Sequence, residues 1–296
     1  MTPPPVLAAF DPVARDVAPI RFAAAVAGYT GAPLTVASVF ASDDLVDRLA
    51  GGQLAEEPIE ERTDMLAEAV RELRDAGVEA DDLALGATSA PNGLSLAAES
   101  IGAALIVVGS TARARPERVE AGSTAERLLN GAPCAVAVVP VGWWGPRVPE
   151  VVGAGFVDTA DGRDALHGAH ALADRSGARL RVLCAVQPRA WMLRGAEEFD
   201  HVAEELRTEV ETAAQSATGT LLGAAVDVDV EVAEPDDLLV RTSAEVDVLV
   251  CGSRGYGPRP AVLMGGVTRR LVVAAACPVV VAAHGAEVRL EALVAD

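Results

Sequence analysis

Lysine is missing from this chain of 296 residues, and all 24 of its basic residues are arginine. This absence excludes a Walker-type phosphate loop, a Schiff-base enzyme and any cofactor linked through lysine, because each needs that ammonium group. The arginines are outnumbered by 43 acidic residues, which gives a formal net charge of −19. Such a charge repels phosphate backbones and anionic lipid headgroups, so we expect neither nucleic acid nor a membrane as a partner.

Cysteine is also scarce, with four residues that are widely spaced and form no CxxC pair. Each lies in or beside an apolar, β-like run: Cys134, Cys184, Cys251 and Cys277. This pattern is typical of buried thiols in a reducing compartment and not of a disulfide framework or a zinc site. No window reaches the roughly 18 apolar residues of a membrane span, and residues 1–10 do not resemble a secretory signal. We therefore expect a cytoplasmic protein.

The second half of the chain repeats the first. The run LIVVGS at residues 105–110 is matched by VLVCGS at residues 248–253. Two glycines and a cysteine recur at one constant spacing: Gly109 and Gly252, Gly122 and Gly265, Cys134 and Cys277. This duplication, in a chain about twice the usual domain length, predicts two similar domains. We place them at residues 1–140 and 150–296, joined by a linker at 141–149 that is rich in glycine and proline.

Short β-branched runs alternate with amphipathic helical patterns in each half. In the second half, strands are predicted at residues 151–156, 180–186, 226–232, 246–251 and 279–282. Helices are predicted at about 162–176, 197–218, 236–244 and 268–275. This alternation predicts parallel sheets covered by helices on both faces. The expected fold class is α/β, with two doubly wound five-stranded parallel-sheet domains of strand order 3-2-1-4-5.

The last strand of each half is strongly apolar, with the sequences CAVAVVP and CPVVVAA, although chain order places it at a sheet edge. An apolar edge strand invites pairing with another strand. We therefore expect the two last strands to pair with each other within one chain, as an intrachain pseudo-dimer. Association of two whole chains into a homodimer stays open as a further arrangement.

The loop after the fourth predicted strand of the second half carries the strongest functional signal. Gly252 ends that strand, Gly255 follows, and Gly265 and Gly266 stand just before a predicted helix. Glycines let the backbone come close to a ligand, and the free amides at a helix start attract phosphate without any lysine. The loop lies after the fourth strand, next to the first strand, where ligands bind in sheets of this order.

Side chains in the same stretch add to this prediction. Arg254 is one of several arginines that could neutralise phosphate charge. The hydroxyl of Thr268 could accept from the helix amides or donate to a phosphate oxygen. The alternative interpretation is a glycine-rich connection that binds nothing.

These residues resemble the universal stress protein family in its tandem, two-domain form. The family's nucleotide motif, G-x-x-G, nine residues and then G-[ST], is met at Gly252, Gly255 and Gly265, whereas Gly266 stands where serine or threonine is usual. The resemblance implies an adenine nucleotide α-hydrolase-like fold. It also implies ATP, with or without Mg²⁺, as the ligand, with AMP and ADP as alternatives.

The resemblance further implies which residues contact the nucleotide. Gly252 would lie near the ribose, and Asp158, the acidic residue after the first strand, would address the ribose or adenine side. The phosphates are assigned to residues around the helix start: Gly255, Gly265, Gly266, Val267 and Thr268.

The first half departs further from the family motif. Gly109 is followed by Ala112 where the second motif glycine is expected, although Gly122 and Ser123 keep the G-S pair. Asp11 is retained after the first strand. Because the alanine methyl narrows the approach of a phosphate, we expect weak or absent nucleotide binding in this half. The opposite outcome stays open, since Ser123 supplies a hydroxyl that the second half lacks at this position.

The four histidines do not form a site that the sequence identifies. His167 and His170 share a helix face, and we expect them at the surface or at the contact between the halves rather than on a metal. His201 and His284 stand alone, without a recognisable Ser/His/Asp arrangement.

The expected function is ATP binding in a cytoplasmic stress-response or signalling protein that changes the binding of an unknown protein partner. No general base or metal cage is evident in the sequence, so we expect no fast turnover and consider an enzyme the less favoured reading. Two alternatives stay open. One is a nucleotide-free interaction scaffold with both sites degenerate, and the other is an enzyme that slowly hydrolyses ATP or transfers its adenylyl group.

Overall fold

A computed structural model of the protein describes residues 2–14, 16–41, 56–111, 114–187, 196–253, 264–286 and 288–294. Strands and helices alternate along both halves, as the sequence patterns predict. The first half contains β1 (Val6–Ala9), α1 (Ala18–Thr30), β2 (Leu34–Ala41), α2 (Glu56–Asp75), β3 (Ala80–Ala87), α3 (Ala90–Ile101), β4 (Leu105–Gly109), α4 (Ser123–Leu128) and β5 (Ala135–Val139). The second half contains β6 (Val151–Gly155), α5 (Ala160–Ser176), β7 (Arg179–Val186), α6 (Ala196–Thr218), β8 (Val226–Val232), α7 (Pro235–Thr242), β9 (Val248–Gly252), α8 (Gly266–Leu271), β10 (Val279–Ala282) and a 3₁₀ turn (Leu290–Val294).

All ten strands form one sheet in the order β3-β2-β1-β4-β5-β10-β9-β6-β7-β8. Within each half the strands are parallel and follow the predicted order 3-2-1-4-5. The last strands, β5 and β10, pair antiparallel, with Val280 opposite Ala137, which confirms the expected pairing within one chain. Because of this pairing, the two five-stranded halves form one continuous sheet.

Helices cover both faces of this sheet and create two apolar cores. One core lies under α1, α2, α5 and α6, and the other lies under α3, α4, α7 and α8. The strand β10 contributes Val280 to the first core and Val279 and Val281 to the second, and all three are fully buried. Burial on both faces explains why the central strands are apolar at nearly every position.

The linker between the halves packs against the first half. The Trp143 ring meets the Phe22 ring edge-on, with 5.4 Å between ring centroids. Trp144 is 75% exposed, and the Arg21 guanidinium lies over its ring at 3.6 Å. Both tryptophans therefore contact α1, in agreement with the packing role that is typical of aromatic residues in short linkers.

The turn from β6 into α5 is fixed by local hydrogen bonds. The Thr159 hydroxyl accepts a hydrogen bond from the Gly162 amide at 3.1 Å and caps the helix, which ends at Gly177 in the left-handed region. The strand β6 pairs with β9, so that Gly155 lies opposite Cys251. The ends of these two strands, whose following helices lie on opposite faces, form the crevice where ligands bind in doubly wound sheets.

Candidate functional site

Gly252, the last residue of β9, lies at the bottom of the crevice between β6 and β9. A Cβ atom at this position would lie 2.8 Å from the carbonyl oxygen of Asp161 and 3.1 Å from its carbonyl carbon. Both are backbone atoms of the first turn of α5, which cannot retreat easily. Glycine at 252 is therefore required by the packing of the fold itself, whether or not a ligand binds.

The opposite wall of the crevice is the tight turn after β6. A Cβ atom on Gly162 would lie only 1.9 Å from the Val157 carbonyl oxygen, so glycine is required here as well. Asp158, the predicted ribose or adenine ligand, is exposed at this turn. Its Oδ1 accepts hydrogen bonds from Arg163, at 2.8 Å from Nε and 2.7 Å from the terminal nitrogen. A ligand at Asp158 would have to share that oxygen or use Oδ2.

A cleft of about 510 Å³ opens beside this turn, between the start of α5 and the helix α6. Asp158 and Arg163 line one side, and polar residues of α6, among them Thr208 and Thr212, line the other. The cleft places the predicted acidic ligand at the mouth of an open space rather than in a packed contact.

The start of α8 forms the far end of the crevice. Gly265 is the N-cap residue, in extended conformation, and no side chain among the described residues caps this helix. A Cβ atom on Gly266 would meet no atom of the described residues within 4 Å, and this residue does not have a positive φ. Among those residues, neither packing nor backbone geometry requires glycine at 266, and none of them fills the space beside the helix start.

Val267 and Thr268, the next two residues, turn away from that space. Val267 is half-buried and packs against the core on the α8 face. Thr268 is 3% exposed, and its hydroxyl lies 3.9 Å from the Cys251 sulfur under the strand end. The prediction that this hydroxyl reaches a phosphate does not agree with this orientation, because the third position of α8 faces the sheet. The backbone amides remain as the group that could bind there.

Arginine dominates the exposed side of α8. Arg269 and Arg270 are both exposed, and Arg270 lies 3.9 Å from Asp237 of α7. The corresponding residues of α4 in the first half are Glu126 and Arg127. Two predicted ligands of the loop, Arg254 and Gly255, lie outside the described residues.

The equivalent place in the first half has different walls. A Cβ atom on Gly109 would lie 3.0 Å from the Pro19 ring and 3.7 Å from the Asp16 Oδ2 atom. That Oδ2 is buried and has no hydrogen-bond partner among the described residues. The predicted ligand Asp11 accepts a hydrogen bond from the Val13 amide at 3.0 Å, which stabilises its own turn.

Hydrogen bonds hold the loop that follows β4. Ser110 forms a β-bridge with Ala121, and its hydroxyl accepts a hydrogen bond from the Glu120 amide at 3.0 Å. The same loop donates to the second half behind α8, from the Val119 amide to the Ala275 carbonyl at 2.8 Å and from Ala121 to the Val272 carbonyl. At the start of α4, Gly122 has the same extended backbone as Gly265, and Ser123 is exposed, as Gly266 is.

All four cysteines are buried, free thiols, in agreement with the interpretation of the sequence. Burial raises the pKa of the Cys251 thiol to about 12, although its contact with Thr268 opposes this shift. A thiol with such a pKa stays protonated and unreactive at neutral pH. These sulfur atoms therefore fill the core and do no chemistry at the crevice.

One contact at the crevice has no signal in the local sequence. The His284 Nδ1 atom, just beyond β10, forms a very short contact with the Asp161 Oδ1 atom at the start of α5. The sequence suggests that His284 stands alone, whereas the structure pairs it with Asp161. The two residues are 123 positions apart in the chain, and no local pattern connects them.

The structure shows neither a metal centre nor a membrane span in the residues it describes. No group of three or more His, Cys, Asp or Glu side chains there is arranged to hold a metal ion. Among the same residues, no helix combines the length and the apolar character that crossing a membrane needs.

Several solved structures are similar to this chain or to part of it. A universal stress protein from Archaeoglobus fulgidus DSM 4304 is 16% identical, with a TM-score of 0.66 over 95% of this chain and 98% of that one. A candidate universal stress protein from Pseudomonas aeruginosa UCBPP-PA14 is also 16% identical, with a TM-score of 0.65 over 99% and 98% of the two chains. A universal stress protein from Archaeoglobus fulgidus in complex with dAMP is 25% identical, with a TM-score of 0.37 over 47% of this chain and 98% of that one.

Among curated proteins, none matches the chain. Identities near 16% show the common fold and no more. The profile of the Universal stress protein family, however, matches the chain twice, over residues 4–140 and 151–283. The chain therefore belongs to the universal stress protein family, in a tandem form whose two halves share one sheet.

Proposed function

We propose that the second half of this protein binds an adenine nucleotide, and that ATP is its main ligand. The protein would act in a cytoplasmic stress or signalling response by changing its contact with a protein partner when the nucleotide binds. Residues 1–140 and 150–296 are the proposed domains, with 141–149 as the linker. Mg²⁺ enters this proposal only as the counter-ion of the phosphates.

The observation that carries the proposal is the space beside Gly266, which none of the described residues fills. Among the described residues, neither packing nor φ requires glycine at 266, whereas packing requires glycine at 252 and at 162. A residue without a side chain leaves the first amides of α8 open to a ligand at the switch point of the sheet. The family motif at Gly252 and Gly265 supports the same place.

Charge favours the second half over the first. The helix α8 carries Arg269 and Arg270, whereas α4 carries Glu126 and Arg127, so a phosphate would meet two positive charges at α8 and a neutral pair at α4. An aspartate lies close to the end of the fourth strand in both halves, Asp16 at β4 and Asp161 at β9, so the preference rests on the charges of the two helices.

Matched substitutions at the two helix starts test the proposal. Gly266→Val places a branched side chain in the space that no described residue fills, and Ser123→Val introduces the same residue at the equivalent, equally exposed position of the first half. Without ligand, both variants should melt close to the wild type. ATP at one hundred times its dissociation constant should stabilise the wild type and Ser123→Val by about 2.7 kcal/mol. Gly266→Val should lose this effect.

Each other result has a definite meaning. No stabilisation of the wild type at millimolar ATP would favour the nucleotide-free scaffold. An equal loss in both variants would contradict the preference for the second half. Steady release of phosphate or pyrophosphate would favour the slow enzyme instead of a binding protein.

A further inference from the structure

His284 crosses the crevice from the side of β10. The strand β9 lies between β10 and β6, and the imidazole reaches over its end to the first turn of α5. Two further contacts hold this arrangement. The His284 amide donates to the Ser253 hydroxyl at 3.0 Å, and the Asp161 backbone packs against Gly252. The imidazole is therefore anchored at the floor of the proposed nucleotide site.

The contact with Asp161 decides which nitrogen of the ring carries the proton. A carboxylate only accepts hydrogen bonds, so the Nδ1 atom must be the donor. In the neutral ring the Nε2 atom then keeps its lone pair and is an acceptor. The Asp161 side chain is 11% exposed and the His284 side chain 34%. No described residue forms a hydrogen bond with Nε2, so none of them competes with a ligand for this atom.

The Nε2 atom, as a hydrogen-bond acceptor, can bind only those groups of a nucleotide that donate a hydrogen bond. Phosphate oxygens are acceptors themselves and are repelled by a second lone pair, whereas the hydroxyls of a ribose are donors. The helix α8, whose amides would take the phosphates, packs on the opposite face of the sheet from α5, which carries Asp161. A nucleotide with its phosphates at α8 would thus present its sugar, not its phosphates, towards α5.

We infer that His284, oriented by Asp161, is a specificity-determining residue that accepts a hydrogen bond from a ribose hydroxyl of the bound nucleotide. This inference rests on the proposed function of the second half.

The first half shows that the fold does not need this imidazole. Val141 occupies the position that corresponds to His284, two residues beyond the last strand of the half. Asp16 brings a carboxylate close to Gly109, but one of its oxygens stays buried without a described partner. Only the second half pairs the acid at the crevice with a histidine, and this is the half in which we place the nucleotide.

The test compares ATP with 2′-deoxy-ATP and 3′-deoxy-ATP by isothermal titration calorimetry. One lost hydrogen bond between neutral groups weakens binding about three- to tenfold, so the wild type should discriminate against one of the two deoxy analogues by this factor. His284→Val introduces the residue that the first half carries at this place. This variant should bind ATP and the discriminated analogue equally, at the weaker affinity.

Asp161→Asn keeps the His284 ring and changes only the group that fixes its proton. The new amide can donate to Nδ1, which moves the ring proton to Nε2 and removes the acceptor while His284 remains. We expect this variant to lose the ribose discrimination as His284→Val does. His201→Val, on the exposed side of α6, is the control and should keep the wild-type discrimination.

The outcomes distinguish this inference from the proposed function. A wild type that binds ATP and both deoxy analogues equally overturns the role of His284 and leaves nucleotide binding intact. Discrimination that survives in His284→Val overturns the role as well. A wild type that binds none of the three ligands overturns both proposals. The wild-type comparison needs no variant and holds even if Asp161→Asn fails to fold.

Discussion

Alanine substitutions at Gly252 and Gly109 measure how much of the glycine motif the fold itself requires. The two residues end β9 and β4 at equivalent places, and neither has a positive φ. Their surroundings differ. At 252 a new Cβ would meet the Asp161 carbonyl oxygen at 2.8 Å, whereas at 109 it would meet the Pro19 ring at 3.0 Å.

These contacts predict different losses of stability. The Asp161 carbonyl belongs to the first turn of α5, and moving it would strain the helix start. Overpacking of this kind costs about 1–3 kcal/mol, which we expect for Gly252→Ala. The Pro19 ring at the start of α1 can shift by a few tenths of an ångström. The lower entropy of the unfolded chain offsets about 0.4–1 kcal/mol of the strain in both variants, so the net change for Gly109→Ala should stay within about 1 kcal/mol and the loss for Gly252→Ala should be the larger.

Urea unfolding followed by far-UV circular dichroism, without any ligand, gives the comparison. The midpoint for Gly252→Ala should fall clearly below that for Gly109→Ala, with similar slopes. If both variants unfolded at the same urea concentration, or in the reverse order, the Asp161 backbone would be able to move and accommodate the new methyl group. Gly252 would then have no packing role, contrary to the geometry.

The remaining predictions concern the thiols and the junction between the halves. Burial raises the pKa of Cys251 to about 12 and that of Cys277 even further, so iodoacetamide at pH 8.5 should modify no buried cysteine of the native protein by mass spectrometry, but all four after unfolding. The pKa values of these thiols in the folded protein lie above the unfolded value of about 8.5, so the free energy of unfolding should be constant below that pH and fall as the pH rises towards 12. The fall should be less steep in Cys277→Val. An unchanged urea midpoint over this pH range would contradict the burial of the thiols. Val280→Asp buries an unpaired charge at the junction and should cost about 3–5 kcal/mol in thermal unfolding, whereas Val232→Asp, at a position on β8 that is 40% exposed, should cost less than about 1 kcal/mol.

Local sequence patterns predicted most of the second half because its elements have clear signals. The strands β8 and β10 have the predicted bounds, since β-branched residues alternate or run together between turn residues. The helix α8 is less well predicted, as 268–275 instead of Gly266–Leu271. The apolar residues after Leu271 look helical, but the carbonyls of Val272 and Ala275 accept hydrogen bonds from the first half.

The candidate site was predictable as a position and not as a set of side-chain contacts. The glycines and the order of the strands locate the crevice, because both are encoded locally. The direction of the Thr268 hydroxyl depends on how α8 packs on the sheet. The pair of His284 and Asp161 depends on two strands that come together from distant parts of the chain. The domain bounds and the ligand contacts of Asp158 stay predictions.

The continuous sheet has a consequence for solubility under the conditions that damage proteins. Two strongly apolar, valine-rich segments, AVAVV and VVVA, lie at the centre of the sheet, each paired with a strand on both sides, and offer no free edge for amyloid-like stacking. The outer margins are β3 and β8, whose sequences ADDLALGA and VDVDVEV carry repeated carboxylates. Another strand that approached either margin would bring its chain against this negative charge, so a folded molecule discourages its own polymerisation even when it is crowded by its copies.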